Sequence, residues 1–417
     1  MLKKQVWFLK VLDNNSSSNA LTSSQIFNIL TLRYDTSLTS NLTKLTWSDF
    51  LPSKNQPSLE LIESLIKKSV EKKISQDTRK ISIALSGGVD STLVLSIIKK
   101  YFPDIEIEAF SVQFSNSIDE TEQAQKIAEH FDINYNKIFI ENYLRELPKA
   151  ISLVESPFWD LHWYYVSQQA QKVSSYLVSG DGGDELFGGY TFRYEKYLNL
   201  TSSNSSPLDK VKNYLMCHER DFVPDQEKMF AENLQFSWND IHSSLLPYFD
   251  NSLSSLDQVF LADYNGKLLY NFSPNNQKIS NYFKLESLTP ILEHELISYA
   301  THLPHTYKYD SKSNIGKLPL RNLLDKLNSS SLISNQKLGF SINTINLWTS
   351  YGYNVCKDFL LDAEISKEGW INSDWIKLHL TKELDDVKYI NKFLGLLALE
   401  IWFRLFVTKS LKSNSLL

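Results

Sequence analysis

Two short stretches carry groups that can do chemistry. Residues 86–91 read SGGVDS, and residues 179–190 read SGDGGDELFGGY. In the first, Ser86, Gly87, Gly88 and Ser91, with Thr92 just after, offer backbone N–H groups and hydroxyls with little side-chain bulk. Glycine lets a backbone approach a ligand closely, and a helix opening at such a turn favours negative charge. Asp90 is out of place in an anion nest unless a metal ion or a proton donor stands beside it. In the second stretch, Asp181, Asp184 and Glu185 stand among five glycines. A loop of that composition bends tightly and turns acid groups toward a cleft, where carboxylates hold Mg²⁺ through one or two direct ligands. A solvated acidic turn is the plain alternative, and composition alone favours it. The position of the loop at the end of a strand, about ninety residues after SGGVDS, does not.

Both stretches need a strand in front of them. Ile81, Ile83 and Leu85 form an apolar, β-branched run that suits a buried parallel strand. A helix opening at Ser91 buries Leu93, Val94, Ile97 and Ile98. The pattern predicts further strands over 105–112, 137–140 and 176–178, with helices over 119–131 (Ala124, Ile127 and Ala128 inward), 143–154 and 163–173. Strands alternating with helices predict an α/β fold, a parallel sheet with helices on both faces. Ligands in such sheets sit at the carboxyl ends of strands, where Ser86 and Ser179 fall. Upstream, residues 6–9 read as a strand, 26–32 as a helix or second strand, and 52–57 as a linker. Ser58 then caps a helix with Leu59, Ile62, Leu65, Ile66 and Val70 on one face. Beyond Tyr190 the strand signal fades into a mainly helical C-terminal part, with serine-rich loops at 202–206 and 252–255.

At 417 residues the chain has ample core. Its 42% hydrophobic and 22% charged content are ordinary for a globular protein. A net charge of −5 leaves no basic footprint for nucleic acid. Cys217 and Cys356 make no disulfide framework, and the eight histidines show no zinc spacing, so a cytoplasmic location is expected. No signal peptide is legible. The most apolar run, residues 393–407, contains Glu400 and Arg404 and reads as a buried core helix, so no membrane association is expected.

SGGVDS is neither a GxxxxGK(S/T) loop nor a GxGxxG turn. It resembles the pyrophosphate loop of the ATP pyrophosphatases. Together with SGDGGDELFGGY it resembles the synthetase domain of the class B asparagine synthetases and their relatives, which include β-lactam and carbapenam synthetases and lasso-peptide cyclases. The likeness extends through EAFSVQF at 108–114, Asp119-Glu120 with Ala124, Glu155-Ser156-Pro157 with Asp160, LTPILEHELISYATHLP from Leu288, and the KxxLR-like pair Lys317 and Arg321. QKLGF at 336–340 and LGLLALEIWFRLF complete it, over roughly residues 58–410. The resemblance implies an adenine nucleotide α-hydrolase-like (HUP-type) fold and a ligase that adenylates a carboxylate, releases pyrophosphate and passes the acyl group to an amine or ammonia.

Carried onto this chain, the resemblance implies that Leu85, Ser86, Gly87, Gly88, Asp90, Ser91, Val112, Ser179 and Gly180 bind ATP and its pyrophosphate. Asp90 and Asp184 are then the Mg²⁺ ligands, Lys337 the catalytic lysine, and Asp181 the group that positions or deprotonates the amine. The family's N-terminal glutaminase, with its cysteine nucleophile, has no counterpart in residues 1–57, which resemble only the stretch joining the two domains. The expected organisation is therefore a small segment over 1–57 and a synthetase-like unit over 58–417, supplied with free ammonia, with another amine or by a separate glutaminase subunit. Leu288, Glu293 and Asn335 replace an arginine, an aspartate and an arginine of the family pattern, which puts aspartate in doubt as the small-molecule carboxylate. Intramolecular amide formation, as in β-lactam synthetase or the lasso-peptide cyclases, is one alternative. A non-catalytic homologue is another, and the retention of Asp90, Asp184 and Lys337 together argues against it. A tRNA thiolase or NAD synthetase reading fits the first motif but not the second.

Overall fold

The computed structural model describes residues 21–53, 57–75, 77–115, 119, 121–333 and 343–417. Strands β1 (Lys80–Ala84), β2 (Glu106–Phe114), β3 (Asn134–Ile140), β4 (Tyr176–Val178) and β5 (Glu286–Leu288) form one parallel sheet in the order β3-β2-β1-β4-β5. Ile81, Ile83, Ala109, Leu177 and Val178 have no exposed surface, as expected where helices cover both faces of a sheet. Helix α3 (Val89–Tyr101) connects β1 to β2 and α4 (Thr121–His130) connects β2 to β3; α4 packs on both of its strands. The chain then crosses back through α5 (Leu147–Val154) and α6 (His162–Ala170), which packs on β2 and β4, to place β4 on the other side of β1. Strand order therefore reverses between β1 and β4, and that is where open α/β sheets leave a crevice for ligands.

The α/β reading holds, with differences that have local causes. Helix α3 starts at Val89 rather than Ser91, because Gly88 takes the N-cap position, and this puts Asp90 in the first turn. Helix α5 starts at Leu147 rather than Tyr143. Pro148 presets its first turn, while the Tyr143 hydroxyl is tied to the Trp159 carbonyl and the Leu161 N–H. Strand β5 lay in the part with no strand signal; its three residues pair Tyr176–Val178 with Glu286–Leu288. Residues 26–32 are helical, within α1 (Ser23–Leu32), and residues 6–9 lie outside the described residues. Ser58 caps α2 (Leu59–Lys73) by accepting from the Leu61 N–H, and Ile62, Ile66 and Val70 are buried. Both serine-rich loops end in helix caps, Ser206 and Ser254.

Helix α11 (Val387–Phe406) runs through the C-terminal core, as its apolar run predicts. Its charged pair is satisfied rather than exposed. Glu400 is fully buried and accepts from the N–H groups of Glu364 and Ile365 and from Arg404 Nε at 2.6 Å. Among the described residues no helix is long and apolar enough to cross a membrane.

Residues 21–53 pack into the same core. Arg33 closes α1 in a left-handed conformation and lies over the Trp159 ring at 4.5 Å. Its guanidinium donates to both oxygens of Asp160 at 2.7 Å, and Lys392 of α11 donates to the Leu30 and Asp221 carbonyls.

Candidate active site

The site is assembled from the two loops at the carboxyl ends of β1 and β4. After β1, Leu85 still bonds to β2 through its N–H and the Phe110 carbonyl at 2.9 Å. Ser86 to Gly88 then turn, with Gly87 at φ 75°, into the N-terminus of α3. Ser86 Oγ and Ser91 Oγ face each other at 3.2 Å across the turn. The Thr92 hydroxyl is spent on the Gly88 carbonyl at 2.7 Å and is fully buried, so it is not the free donor its type suggested. After β4, Ser179 bonds to the Leu288 carbonyl, and α7 (Gly183–Phe187) begins almost at once.

The loops touch where a side chain has no room. A Cβ on Gly183 would lie 2.2 Å from Asp90 Oδ1, and one on Gly189 would lie 1.8 Å from Asp184 Oδ1. The acid loop is glycine-rich because it closes against the first motif and its carboxylates.

The charge that joins them is Lys317. It follows α9 (His294–Thr301) and is the N-cap of α10 (Leu318–Lys326), in a left-handed conformation, and its N–H donates to the Phe187 carbonyl. Its Nζ lies 2.5 Å from Asp90 Oδ2 and 2.9 Å from Asp184 Oδ1, and only 12% of the side chain is exposed. Burial alone would lower the ammonium's pKa, but Asp184 and Asp90 more than offset it, so the group stays charged well above its ordinary range. Arg321 follows one turn later, with Nε donating to the Gly316 carbonyl.

Asp181 faces the cavity next to these groups. Burial raises its pKa, and the charges of Asp90 and Asp184 add to the rise, while hydrogen bonds from Ser179 and Asn276 oppose it. Asn276 Nδ2 stands 3.4 Å from Asp181 Oδ2. Asn276 belongs to α8 (Ser273–Tyr282), which is locked to α6 by the Trp163 indole N–H, donating to Ser280 Oγ at 2.9 Å and to the Asn276 carbonyl. Behind the acid loop, Glu185 accepts from the Tyr190 hydroxyl at 2.6 Å. Burial, then the Asp184 charge, pushes its carboxyl up to about 7. Glu185 also borders a second cavity of about 40 Å³ lined by Arg193, His218, Asp263 and Lys267.

All of this opens into one cavity of about 1440 Å³. Ser86, Gly88, Asp90, Ser91, Ser179, Gly180, Asp181 and Asp184 line it, as do residues 41–45 of the N-terminal part. Leu85, Gly87 and Val112 do not; Leu85 and Val112 are core residues, and Leu85 contributes its carbonyl to the Ser111 hydroxyl. Lys337 lies outside the described residues.

Residues 61–404 match the asparagine synthase family profile. The chain belongs to the asparagine synthase family. A glutamine-hydrolyzing asparagine synthetase of Bacillus subtilis is 26% identical over 325 residues, covering 68% of this chain and 50% of that protein. A putative asparagine synthetase of Mycobacterium bovis is 23% identical over 333 residues, covering 72% and 50%. The chain thus spans about half the length of the curated relatives it matches. Among solved structures, a U34-tRNA thiolase from Methanococcus maripaludis aligns at 19% identity with a TM-score of 0.26, over 58% of this chain and 82% of that one. An NMN synthetase from Francisella tularensis aligns at 12% with a TM-score of 0.25, over 55% and 94%.

In this member of the asparagine synthase family the donor set suits Mg²⁺ in kind. Asp90 and Asp184 meet at the Lys317 ammonium, and two such carboxylates, with phosphate and water completing the shell, are the donor set that Mg²⁺ takes. Among the described residues no group of three or more His, Cys, Asp or Glu gathers as a metal cage. Lys317 was legible only as half of a motif pair, and Asn276 and Arg33 carried no signal toward the site. Each reaches it through contacts that sequence distance hides: Asn276 lies 95 residues from Asp181, and Arg33 lies 127 from Asp160.

Proposed function

We propose that this chain is an ATP-dependent amide-forming ligase. It adenylates a carboxylate with release of pyrophosphate, and then lets an amine or ammonia displace AMP. The observation that carries this reading is the meeting of the two loops at the β1/β4 crevice, with Lys317 Nζ within 3 Å of both Asp90 and Asp184. The backbone N–H groups at the N-terminus of α3 and the hydroxyls of Ser86 and Ser91 accept the charge of the departing pyrophosphate. Lys317 and Arg321 stand beside that position and neutralise it. Lys337, in the KLGF segment, supports the charge that grows on the α-phosphate. Asp90 and Asp184 are the residues that would hold Mg²⁺, which when bound would supply Lewis-acid stabilisation of the phosphates. Asp181, its carboxyl lifted by burial, takes the proton from the attacking amine. The amine comes from solution or from a glutaminase partner. Residues 58–417 make up the catalytic unit, and residues 41–45 complete its wall.

Product analysis tests the reading. Purified chain with Mg-ATP, a carboxylate panel and hydroxylamine as a trapping amine should yield AMP, pyrophosphate and hydroxamate. ADP and phosphate in their place would remove the basis for the assignment.

A further inference from the structure

The wall of the cavity beside Asp181 says what kind of acid can lie there. It is built from α8, β5 and the residues that follow β5: Asn276, Gln277, Ser280, Asn281, Ser287 and Thr289. These are amides and hydroxyls, all uncharged. The carboxylates on the same side are Asp160, Asp181, Glu286 and Glu293, of which Asp160 is paired with Arg33, and the imidazoles that line the cavity are His162, His294 and His302. Among the described residues of this wall there is no lysine and no arginine.

The arginines can be accounted for completely, because all seven lie in described residues. Arg33, Arg193 and Arg404 are engaged by Asp160, Asp263 and Glu400. Arg79, Arg145 and Arg220 are exposed and do not line the cavity. Arg321 alone does, and it is tied to the Gly316 carbonyl at the phosphate end. The described lysines that line the cavity are Lys317, which sits between Asp90 and Asp184, and Lys44 and Lys73, both exposed, on residues 41–45 and the end of α2.

A second carboxylate brought out of water needs a cation or a bidentate guanidinium. Among its described residues this wall offers no lysine and no guanidinium, and its acidic groups would repel a second carboxylate. We propose that the acid activated here has a single carboxylate, the reacting one, and an uncharged or cationic remainder that hydrogen-bonds to the Asn276–Thr289 wall. It is not a dicarboxylate. The inference rests on the ligase reading above and narrows it to a substrate class.

The test is acid-dependent exchange of labelled pyrophosphate into ATP with matched pairs: succinate against succinamate, aspartate against asparagine, and glutamate against glutamine. The monoamide of each pair should exchange at least about tenfold faster, since the wall's donors and acceptors match an amide, while a second carboxylate finds no lysine or arginine among the described residues and meets like charge from Asp181, Glu286 and Glu293. Equal or faster exchange with the dicarboxylates overturns the inference. If no acid in the set supports exchange, the same pairs are compared by saturation-transfer NMR with ATP bound. Selective signal from the monoamides supports the inference; signal from the dicarboxylates, or from none of the acids, overturns it. Gln277→Arg adds the absent cation and should move the preference toward the dicarboxylate by a similar factor; an unchanged ratio also counts against the inference. Cleavage of ATP to ADP, or no ATP binding at all, refutes the underlying ligase reading instead, so the two failures are told apart.

Discussion

Replacing Lys317 by methionine keeps the length of the side chain and removes the charge that holds the two loops together. Its Nζ lies 2.5 Å and 2.9 Å from carboxylate oxygens of Asp90 and Asp184. At an effective dielectric near 20, each such contact is worth roughly 6 kcal/mol of Coulomb attraction. Desolvation of a side chain only 12% exposed takes back most of that. Breaking one partner out of a buried ion cluster costs about 3–5 kcal/mol, because the remaining charges stay unpaired. With an unfolding entropy of about 2 cal/mol/K per residue, a 417-residue chain should lose roughly 4–6 °C in melting temperature. The raised pKa of Lys317 fixes the pH sense. Its contribution is fully present below the ordinary lysine range and disappears only as pH rises through the elevated folded value, so the deficit should be constant from pH 6 to 9. Mg²⁺ should restore part of it, since it replaces one cation between two carboxylates by another. The assay is a thermal melt of wild type and Lys317→Met across that pH range, with and without millimolar Mg²⁺. A variant that melts within 1 °C of wild type under all conditions would show that the three groups do not form a cluster in solution.

Three further outcomes follow from the same geometry. Gly183→Ala should slow pyrophosphate release at least about tenfold while circular dichroism stays native, because the new methyl meets Asp90 at 2.2 Å and displaces the carboxylate; a wild-type rate would show that this contact is not needed. Lys337→Ala should lower the adenylation rate by about a hundredfold or more and leave ATP affinity nearly unchanged, read by pre-steady-state pyrophosphate release; a change within threefold returns Lys337 to the surface lysines. Glu185, raised to about 7 by burial, contributes stability that is complete below about pH 4.5 and is lost as pH rises to 7. Melts between pH 4.5 and 7.5 should therefore fall more steeply for wild type than for Glu185→Gln, and parallel curves would contradict the raised value.

What was legible in the sequence is what neighbouring residues decide among themselves. The apolar run before SGGVDS, the glycine turn and the amphipathic helix after it are contiguous, and each restricts the backbone over a few residues. The same holds for the Ser58 cap and for the long apolar helix at the C-terminus. The glycines of SGDGGDELFGGY announced a tight loop, though not that five of its residues form a helix or that the glycines make room for the side chains of Asp90 and Asp184.

The rest was settled by partners distant in the chain. Glu286, Ser287 and Leu288 have no alternating pattern; they are a strand because β4 offers an open edge in register with them. Whether residues 26–32 were helix or strand was decided by a groove that buries Ile26 to Leu32 and by Lys392 meeting the Leu30 carbonyl. The roles of Lys317, Asn276 and Arg33 are of the same kind. A lysine, an amide or an arginine reads as an ordinary polar residue until folding removes water around it, and only then does its choice of partner carry energy. Sequence spacing specified the two loops, and the tertiary structure decided which charges they share.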